Sequence, residues 1–456
     1  MFCAISYNKS MAWYKDKWLW LILALGAALK TAAFCYVYFC NPLGEQVLIF
    51  PDSLTYVYPA QTWLAYGQFW ETVSAAPLLL RTPGYPVFLA GVQVLFGNLT
   101  WAVAAVQNVL SLALAVAVYL CACEVAGRRA ARIAAALTVA SVLYFSLSFA
   151  VLSEMVCVFL LAWFVYFVLR FLQTQRAREL LCAALLLSAA VYVRPAAYYF
   201  CAVAGVALIY LRKSAWKKIV LFFCFPLVLC LGAWQLRNHV VSGYGGFSTV
   251  NAYNLYFWNA DFVAAQQGIS IPQAHAQLAE NLPADFAQLP AREQVKTYRR
   301  LARPWLVDGS DYKAVRAPKW ALKTLLGTNF VHTSRLLLGT PADEQEVSFR
   351  MLNQRHIVHA NYVNAPLEKG LLAVSFASVA AVVLLAVTGG WLLWRRRRES
   401  AVFLMVYVLY FWGIGSVFFG AYARFRAPFE FVLCILAGTA VAQGLKNLES
   451  LRKRVN

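Results

Sequence analysis

Apolar stretches close to 20 residues long recur along almost the whole chain, and they constrain the fold more than any other feature. An α-helix of about 20 residues is the length that crosses the hydrocarbon core of a bilayer. The stretches are continuous rather than alternating, which excludes a membrane β-barrel. Hydrophobic residues make up 62% of the chain and charged residues 13%, about half the charged fraction of a typical soluble protein. The sequence therefore predicts an all-α polytopic membrane protein.

Polar segments divide the chain into three modules. Residues 1–236 are predicted to form an N-terminal transmembrane module, whose first extracytoplasmic loop covers residues 40–98. Residues 237–365 form one long extracytoplasmic segment, and residues 366–456 form a C-terminal transmembrane module. About ten transmembrane helices are expected, at residues 18–39, 99–125, 133–147, 149–171, 180–193, 196–211, 219–236, 367–394, 401–419 and 429–445.

Three further segments have the amphipathic pattern of interfacial helices that lie on the bilayer surface. The first is residues 53–67, where Ser53 is expected to cap the helix. The others are residues 87–96, which are too few to span, and residues 319–338, which mix apolar and basic side chains.

Basic residues give the chain a net charge of +20 and cluster at the ends of alternate spans. Positively charged short loops stay in the cytoplasm, so the pattern predicts that both termini are cytoplasmic. The same clustering explains the charge as a topology signal and as contacts with anionic membrane lipids, which disfavours nucleic acid as a partner. The first span, with several lysines before it and no convincing cleavage site after it, is expected to be a signal anchor.

The loop at residues 50–86 combines a carboxylate, several aromatic residues and an arginine at the predicted membrane edge. Asp52 lies near its start, and Arg81 precedes a stiff Pro-Gly-Tyr-Pro turn that ends at Pro86. Asp52 could simply cap a turn or helix. It could also be a general base or metal ligand, with a pKa raised by partial desolvation. The rest of the loop favours the functional interpretation.

Glu154 and four arginines are predicted to reach the same outer face. A carboxylate in an apolar stretch needs a partner or a polar cavity, unless it is a solvated helix end. A proline breaks the helix directly after Arg194. Arg194, Arg237, Arg424 and Arg426 suit a phosphate, because the guanidinium group matches phosphate oxygens. The alternative is that each arginine extends to lipid head groups.

Metal and nucleotide chemistry leave weaker signals. His356 and His359 have i, i+3 spacing and are weak metal-ligand candidates. Nearly all of the eleven cysteines lie in apolar spans, so neither a disulfide framework nor a cysteine zinc site is expected. The chain has no phosphate-binding glycine loop and no His-Glu-x-x-His motif, which disfavours a nucleotide-sugar or ATP-driven enzyme.

The motifs and their order resemble the GT-C superfamily of integral-membrane glycosyltransferases. The resemblance is closest to the bacterial branch related to protein O-mannosyltransferases and to the aminoarabinose transferase that modifies lipid A. Each motif is short, but their order covers nearly the whole chain. A second acidic residue is common in the first loop of that branch, and Glu71 is a candidate for it here. The matching motifs are Asp52 to Tyr56, Arg81 to Pro86, Ser153-Glu154, Arg194-Pro195, Arg237-Asn238, Ser248-Thr249 with Asn254-Leu255, and Arg424 to Pro428.

The resemblance implies a GT-C-like helix bundle in the cytoplasmic (inner) membrane of a bacterium. It implies inverting transfer of a sugar from a polyprenyl-phosphate-linked donor to a lipid, glycan or protein acceptor at the extracytoplasmic face. Asp52 and Glu154 would be catalytic, with Asp52 deprotonating or orienting the acceptor hydroxyl. A divalent metal ion is left open as a cofactor. The residues expected to bind substrate are Tyr56, Glu71, Arg81, Tyr85, Arg194, Arg237, Asn254, Arg424 and Arg426, with arginines holding the lipid phosphate.

A second class of protein has similar requirements. A transporter or flippase of a lipid-linked or anionic substrate would also need cavity-facing arginines and broken helices. Such a protein is expected to have essential ionisable residues at the middle of the bilayer, whereas a transferase needs them only at its outer face.

Overall fold

Helices account for nearly all regular structure in this protein. The computed structural model describes residues 13–71, 76–338, 366–417 and 422–455. Within these ranges there is no β-strand, and an isolated antiparallel bridge joins Trp70 and Pro77. The prediction of an all-α membrane protein is confirmed.

The helices follow one another with short connections, several of them single 3₁₀ turns. A turn at Trp216–Ile219 and a π-helical turn at Val220–Cys224 continue directly into α10. The α-helices are α1 Lys17–Phe39, α2 Leu54–Tyr66, α3 Gly84–Phe96, α4 Trp101–Ala126, α5 Arg128–Val139, α6 Val142–Leu147, α7 Glu154–Thr174, α8 Ala177–Val193, α9 Phe200–Leu211, α10 Phe225–Ser242, α11 Val250–Phe257, α12 Ala260–Gln267, α13 Ile271–Glu280, α14 Ala291–Asp308, α15 Ser310–Leu326, α16 Phe330–Leu338, α17 Pro366–Arg396, α18 Arg398–Val417 and α19 Ala427–Val455.

Seven helices in the described part of the chain are long and apolar enough to cross a membrane. They are α1, α4, α7, the continuous helix that ends with α10, α17, α18 and α19. The predicted count of about ten is higher because three more apolar segments form shorter helices. Of these, α8 has 17 residues, which at about 1.5 Å per residue gives roughly 26 Å. The predicted span at 196–211 corresponds to a 3₁₀ turn followed by the 12-residue α9.

Two local predictions are corrected. The expected span at 133–147 is two short helices, α5 and α6, and Ser141 caps the second by accepting a hydrogen bond from the Tyr144 N–H. The side chain of Ser53 does not cap α2. Its hydroxyl accepts the N–H of Phe50 and donates to the carbonyl of Val151 at 2.8 Å, which fastens the start of α2 to the segment before α7.

The last helix, α19, lies in the centre of the bundle and packs against α17 and α5. A side chain at Gly438 would put its Cβ 2.7 Å from the carbonyl oxygen of Ala130 in α5. Small residues that let helix backbones approach closely are typical of membrane helix interfaces, where lipid removes the hydrophobic driving force.

Two groups of ion pairs lie at opposite ends of the helix bundle. At one end, Arg129 lies 2.8 Å from Glu449 and Arg132 lies 2.9 Å from Asp16, so the basic ends of α5, α19 and α1 meet there. The loop at 50–86 lies at the opposite end with Arg194 and Arg424, whose contacts are described below.

Helices α11 to α14 form a small subdomain with its own apolar core. Tyr256, Ala274, Leu278 and Ala302 are buried together in it. This subdomain covers the end of the bundle that carries Asp52, and α15 packs on α18 beside it.

Candidate active site

Asp52 lies in a tight turn between α1 and α2. The hydroxyl of Thr55 donates to the Asp52 carbonyl at 2.6 Å, and the backbone N–H of Ser53 donates to Phe50. Since Ser53 is also bonded to the segment before α7, the backbone of Asp52 is fixed on both sides.

The Asp52 carboxylate bridges two arginines from distant parts of the chain. Its Oδ1 lies 2.8 Å from Arg81 Nη2, and its Oδ2 lies 3.1 Å from Arg424 Nη2. Burial acts to raise the pKa of Asp52, but the charges of Arg424 and Arg81 outweigh it and bring the pKa below its usual value. The expectation of a raised pKa is therefore wrong, because two guanidinium groups stabilise the ionised form.

Glu154 begins α7 and lies deeper than Asp52. Its side chain is 3% exposed, its Oε1 lies 2.8 Å from Arg194 Nη1, and Arg424 Nη1 is 4.0 Å away. Arg194 ends α8 in an extended conformation, where the following proline stops the helix, and it also donates to Ser153 at 3.2 Å. Arg424 therefore lies between the two carboxylates of the site.

Aromatic and hydroxyl groups hold Arg81 in place. Its Nε donates to Thr55 at 2.9 Å, and its guanidinium lies 4.7 Å from the centre of the Tyr56 ring. The Tyr56 hydroxyl is 3.3 Å from the hydroxyl of Ser153, next to Glu154. Arg81 is thus fixed by three contacts, counting Asp52.

A cavity of about 720 Å³ opens over these groups. Its lining includes Asp52, the Arg194–Pro195 break and several aromatic side chains, among them Trp258 and Phe425. Among the residues predicted from sequence, those that line it are Asp52, Tyr56, Arg81, Arg194, Asn254 and Arg424. The predicted catalytic Glu154 lies behind this surface, paired with Arg194.

Arg426 and Tyr85 do not line the cavity. Arg426 is 1% exposed, pairs with Glu430 at 2.7 Å and donates to the carbonyls of Leu325 and Gly327. It fixes the 3₁₀ turn Ala423–Arg426 against the end of α15, and its side chain does not reach the cavity where it was predicted to bind substrate. Tyr85 is fully buried, with its ring 5.1 Å from that of Tyr56, so it packs behind a residue that lines the cavity.

Glu71 and Arg237 shape the segment before Arg81 and are also not cavity-lining residues. Glu71 accepts hydrogen bonds from the backbone N–H groups of Leu79 and Leu80. Arg237 donates to the Leu78 carbonyl at 2.9 Å. Burial raises the pKa of Glu71, and these N–H groups partly offset it. Both residues hold the chain in the conformation that presents Arg81.

The far end of the cavity contains polar residues that the sequence interpretation did not single out. Asp261 and His275 line it, and Lys313 donates to Asn259 at 2.7 Å. Burial raises the pKa of Asp261 to about 6, an effect that the charge of Arg316 only partly offsets. The Asn- and Tyr-rich composition of residues 240–261 was the available signal, but it did not identify individual side chains.

The donor set does not fit a bound metal ion. No cluster of three or more His, Cys, Asp or Glu side chains occurs among the residues that the structure describes. The two carboxylates at the site, Asp52 and Glu154, are turned toward arginines. His356 and His359 lie outside the described residues.

Comparison with known proteins finds a family model that matches part of the chain and solved structures with a similar fold. A sequence model of the dolichyl-phosphate-mannose-protein mannosyltransferase family matches residues 80–234, about a third of the chain. No curated protein sequence matches the chain significantly.

Two solved structures illustrate the similarity. The oligosaccharyltransferase AglB from Archaeoglobus fulgidus, in complex with an inhibitory peptide and a dolichol-phosphate, has 12% identity and a TM-score of 0.50, covering 97% of this chain and 52% of that one. ArnT from Cupriavidus metallidurans, bound to undecaprenyl phosphate, has 13% identity and a TM-score of 0.42, covering 91% of this chain and 78% of that one. The chain thus spans about half the length of AglB.

The fold and the site together define a multi-pass membrane protein with an arginine–carboxylate centre at one end of its helix bundle. The family match and the AglB fold confirm the resemblance of this chain to the GT-C membrane glycosyltransferases.

Proposed function

We propose that this protein transfers a sugar from a polyprenyl-phosphate-linked donor to an acceptor hydroxyl at the extracytoplasmic face of a bacterial cytoplasmic membrane. The observation that carries the proposal is the ionised Asp52 beside Arg81, Arg424 and Arg194 at the end of a cavity that opens among helix ends. Such a centre offers a proton acceptor and phosphate-binding groups within one small site.

The reaction would be a single displacement at the anomeric carbon. The acceptor oxygen forms a bond to that carbon while the bond from the carbon to the donor phosphate oxygen breaks. The acceptor proton passes to Asp52, and the electron pair of the broken bond stays on the lipid phosphate. Arg424 and Arg194 stabilise the charge that develops there, as preorganised cations at a leaving group do.

The position of each residue relative to the cavity suggests its role in the reaction. Asp52 faces the cavity and would orient or deprotonate the acceptor, whereas Glu154 fixes Arg194 and would act by positioning it. Asn254, Tyr56 and the aromatic wall would contact the sugar or the acceptor. AglB, which shares the fold, was solved with a dolichol-phosphate, and this supports a polyprenyl phosphate as the lipid bound here. The acceptor would be a lipid, a glycan or a protein.

The test is turnover of a panel of polyprenyl-phosphate sugars by purified protein in detergent. We expect one donor to be consumed by the wild type, and Asp52→Asn to lower the rate by about 10²–10⁴-fold, the usual contribution of a general base. Asp285→Asn is the matched control, because this exposed aspartate lies in a loop between α13 and α14, outside the cavity.

Two results would overturn the proposal. If Asp52→Asn transferred sugar at the wild-type rate, Asp52 would have no catalytic role. If no donor were consumed but lipid-linked sugar crossed liposome membranes, the protein would be a flippase.

A further inference from the structure

Both oxygens of the Asp52 carboxylate are held by guanidinium groups that the proposed function also needs for phosphate. Arg81 takes Oδ1 and Arg424 takes Oδ2. In this arrangement Asp52 is ionised but poorly able to accept a proton, because accepting one would cost both ion pairs. The structure therefore contains a base that has to be released before it can act.

We propose that Arg424 is shared between Asp52 and the donor phosphate, and that it moves from the carboxylate to the phosphate as the sugar is transferred. This inference rests on the proposed function and adds to it a direct coupling between lipid-phosphate binding and proton acceptance by Asp52. Arg424 is a positioning residue for Asp52 and a binding residue for the phosphate.

Geometry selects Arg424 over its two neighbours. Arg81 is fixed to Thr55 and stacked on Tyr56, in addition to its contact with Asp52. Arg194 has a contact of 2.8 Å to the buried Glu154. The contacts of Arg424 are longer: 3.1 Å to Asp52, 4.0 Å to Glu154, and 5.7 Å from its guanidinium to the centres of its neighbouring Tyr422 and Phe425 rings. Its guanidinium thus lies between two carboxylates at the cavity surface.

The backbone of Arg424 is anchored while its side chain is placed to change partners. It belongs to the 3₁₀ turn Ala423–Arg426, which Arg426 fastens through its ion pair with Glu430 and its bond to the Leu325 carbonyl. A shift of the guanidinium from Asp52 to a phosphate thus needs only side-chain rotation on a fixed turn.

The charges of the site are consistent with such an exchange. Three guanidinium groups face two carboxylates, which leaves one positive charge at the end of the cavity. A sugar phosphodiester carries one negative charge and neutralises it. After transfer the lipid phosphate has gained a second negative charge while Asp52 has gained the acceptor proton, so the site stays neutral. Avoiding a net charge matters in a partly desolvated site.

The groups that face Asp52 come from four elements. They are Arg81 from the loop before α3, Arg424 from the turn before α19, Arg194 at the end of α8, and Tyr253 on α11, whose neutral phenol does not compete for a proton at neutral pH. When phosphate draws Arg424 away, one of the main charges that lower the pKa of Asp52 is lost, so the pKa of Asp52 rises and its carboxylate becomes a better proton acceptor for the transfer step.

The experiment is calorimetric titration of a short-chain prenyl monophosphate into purified full-length protein at pH 7.5. At this pH the second ionisation of a phosphomonoester, with a pKa of about 6, is nearly complete and contributes little. We expect the wild type to bind the phosphate through Arg424, with an affinity reduced by the need to break the contact between Arg424 and Asp52.

Variants separate the exchange from simple electrostatics. Asp52→Asn should bind the prenyl monophosphate about tenfold more tightly, a typical coupling between two sites. Arg424→Gln should bind more weakly, and adding Asp52→Asn to it should restore little affinity. Asp285→Asn, far from the cavity, should behave as the wild type.

The outcomes distinguish this inference from the proposed function. If prenyl monophosphate bound equally well to wild type and Asp52→Asn, the exchange would be wrong while sugar transfer could stand. If Asp52→Asn does not fold, Arg424→Gln decides the matter, because undiminished binding by that variant would rule out the exchange. If the wild type bound no prenyl monophosphate, the exchange would fail, and the turnover assay alone would decide the transferase.

Discussion

At the scale of single residues, the cavity contains two aspartates in opposite electrostatic surroundings. Arginines hold the pKa of Asp52 below its usual value, whereas burial raises the pKa of Asp261 to about 6. Groups whose environments separate their pKa values in one site are candidates for different roles. Asp52 remains charged at neutral pH, whereas Asp261, with a pKa of about 6, changes its protonation state slightly below neutral pH.

The raised pKa of Asp261 predicts a pH effect on stability. The folded protein binds this proton more tightly than the unfolded chain, so the contribution is present below about pH 4 and is lost as pH rises through about 6. Asp261→Asn, which cannot ionise, should therefore raise the Tm at pH 7.5 by a few degrees. The gain should shrink as the pH approaches 4.

Thermal unfolding in detergent at several pH values measures this difference. Asp285→Asn is the control, since this exposed aspartate lies outside the cavity. An equal change in Tm for Asp261→Asn at pH 4.5 and 7.5 would contradict the assignment.

The same scale explains one failure of the sequence interpretation. Arg424 and Arg426 are two residues apart in one motif, and both were expected in the substrate site. They lie in a 3₁₀ turn, which has about three residues per turn, so residues two apart point in different directions. Arg424 faces the cavity and Arg426 faces the protein interior. The geometry of the turn determines which of the two arginines reaches the cavity, and the motif alone does not show it.

At the scale of elements, the start of α3 is pressed against the end of α8. A Cβ at Gly84 would lie 2.6 Å from backbone atoms of Tyr192 and Val193, directly before Arg194. Gly84 therefore sets the distance between the segment that carries Arg81 and the break that carries Arg194. This close contact between backbones explains why the Pro-Gly-Tyr-Pro motif has a glycine at position 84.

Gly84→Ala should move α3 away from α8 and misplace the two arginines. Steric overlap with backbone cannot be relieved by a side-chain rotation, so we expect a loss of about 1–3 kcal/mol in stability. A fall in sugar transfer of at least about tenfold should accompany it, given how sensitive reactions are to small displacements.

Gly91→Ala is the matched control, because it lies in the same helix with no atom within 4 Å of its added Cβ. This change should leave transfer unchanged and slightly favour the helix. Equal behaviour of the two variants in unfolding and turnover assays would show that the contact at Gly84 has no effect on the site.

Elements were predicted well where length and hydrophobicity determine them. The helices at 18–39, 99–125 and 429–445 were expected and are present as α1, α4 and α19. The span at 133–147 was wrong because composition does not reveal the capped break at Ser141. The order of the motifs was enough to predict that Asp52, Arg81, Arg194 and Arg424 lie together. It did not show that Glu71 and Arg237 lie behind the cavity lining, because their positions depend on the conformation of the loop before Arg81.

At the scale of the whole molecule, the basic ends of the helices gather at one end and the candidate site at the other. Arg129 meets Glu449 and Arg132 meets Asp16 at the first end. The charge rule for short loops then predicts that this end is cytoplasmic and that the cavity faces outward.

Reporter fusions test the orientation. A fluorescent protein fused after the C-terminus should fold and fluoresce in a bacterial host, because it stays in the cytoplasm. A phosphatase inserted in the exposed loop near Asp285 should be active, because it is exported. If the C-terminal fusion did not fluoresce and the phosphatase near Asp285 were inactive, the orientation would be the opposite of the one proposed.

The site residues are far apart in the chain, and this affects how the protein is made. Asp52 and Arg81 leave the ribosome early, whereas Arg424 follows more than 300 residues later, directly before α19. A nascent chain halted before Arg424 contains Glu154 and Arg194 but lacks the cation shared by the two carboxylates. If the proposed function is right, interrupted synthesis should therefore release fragments that cannot transfer sugar.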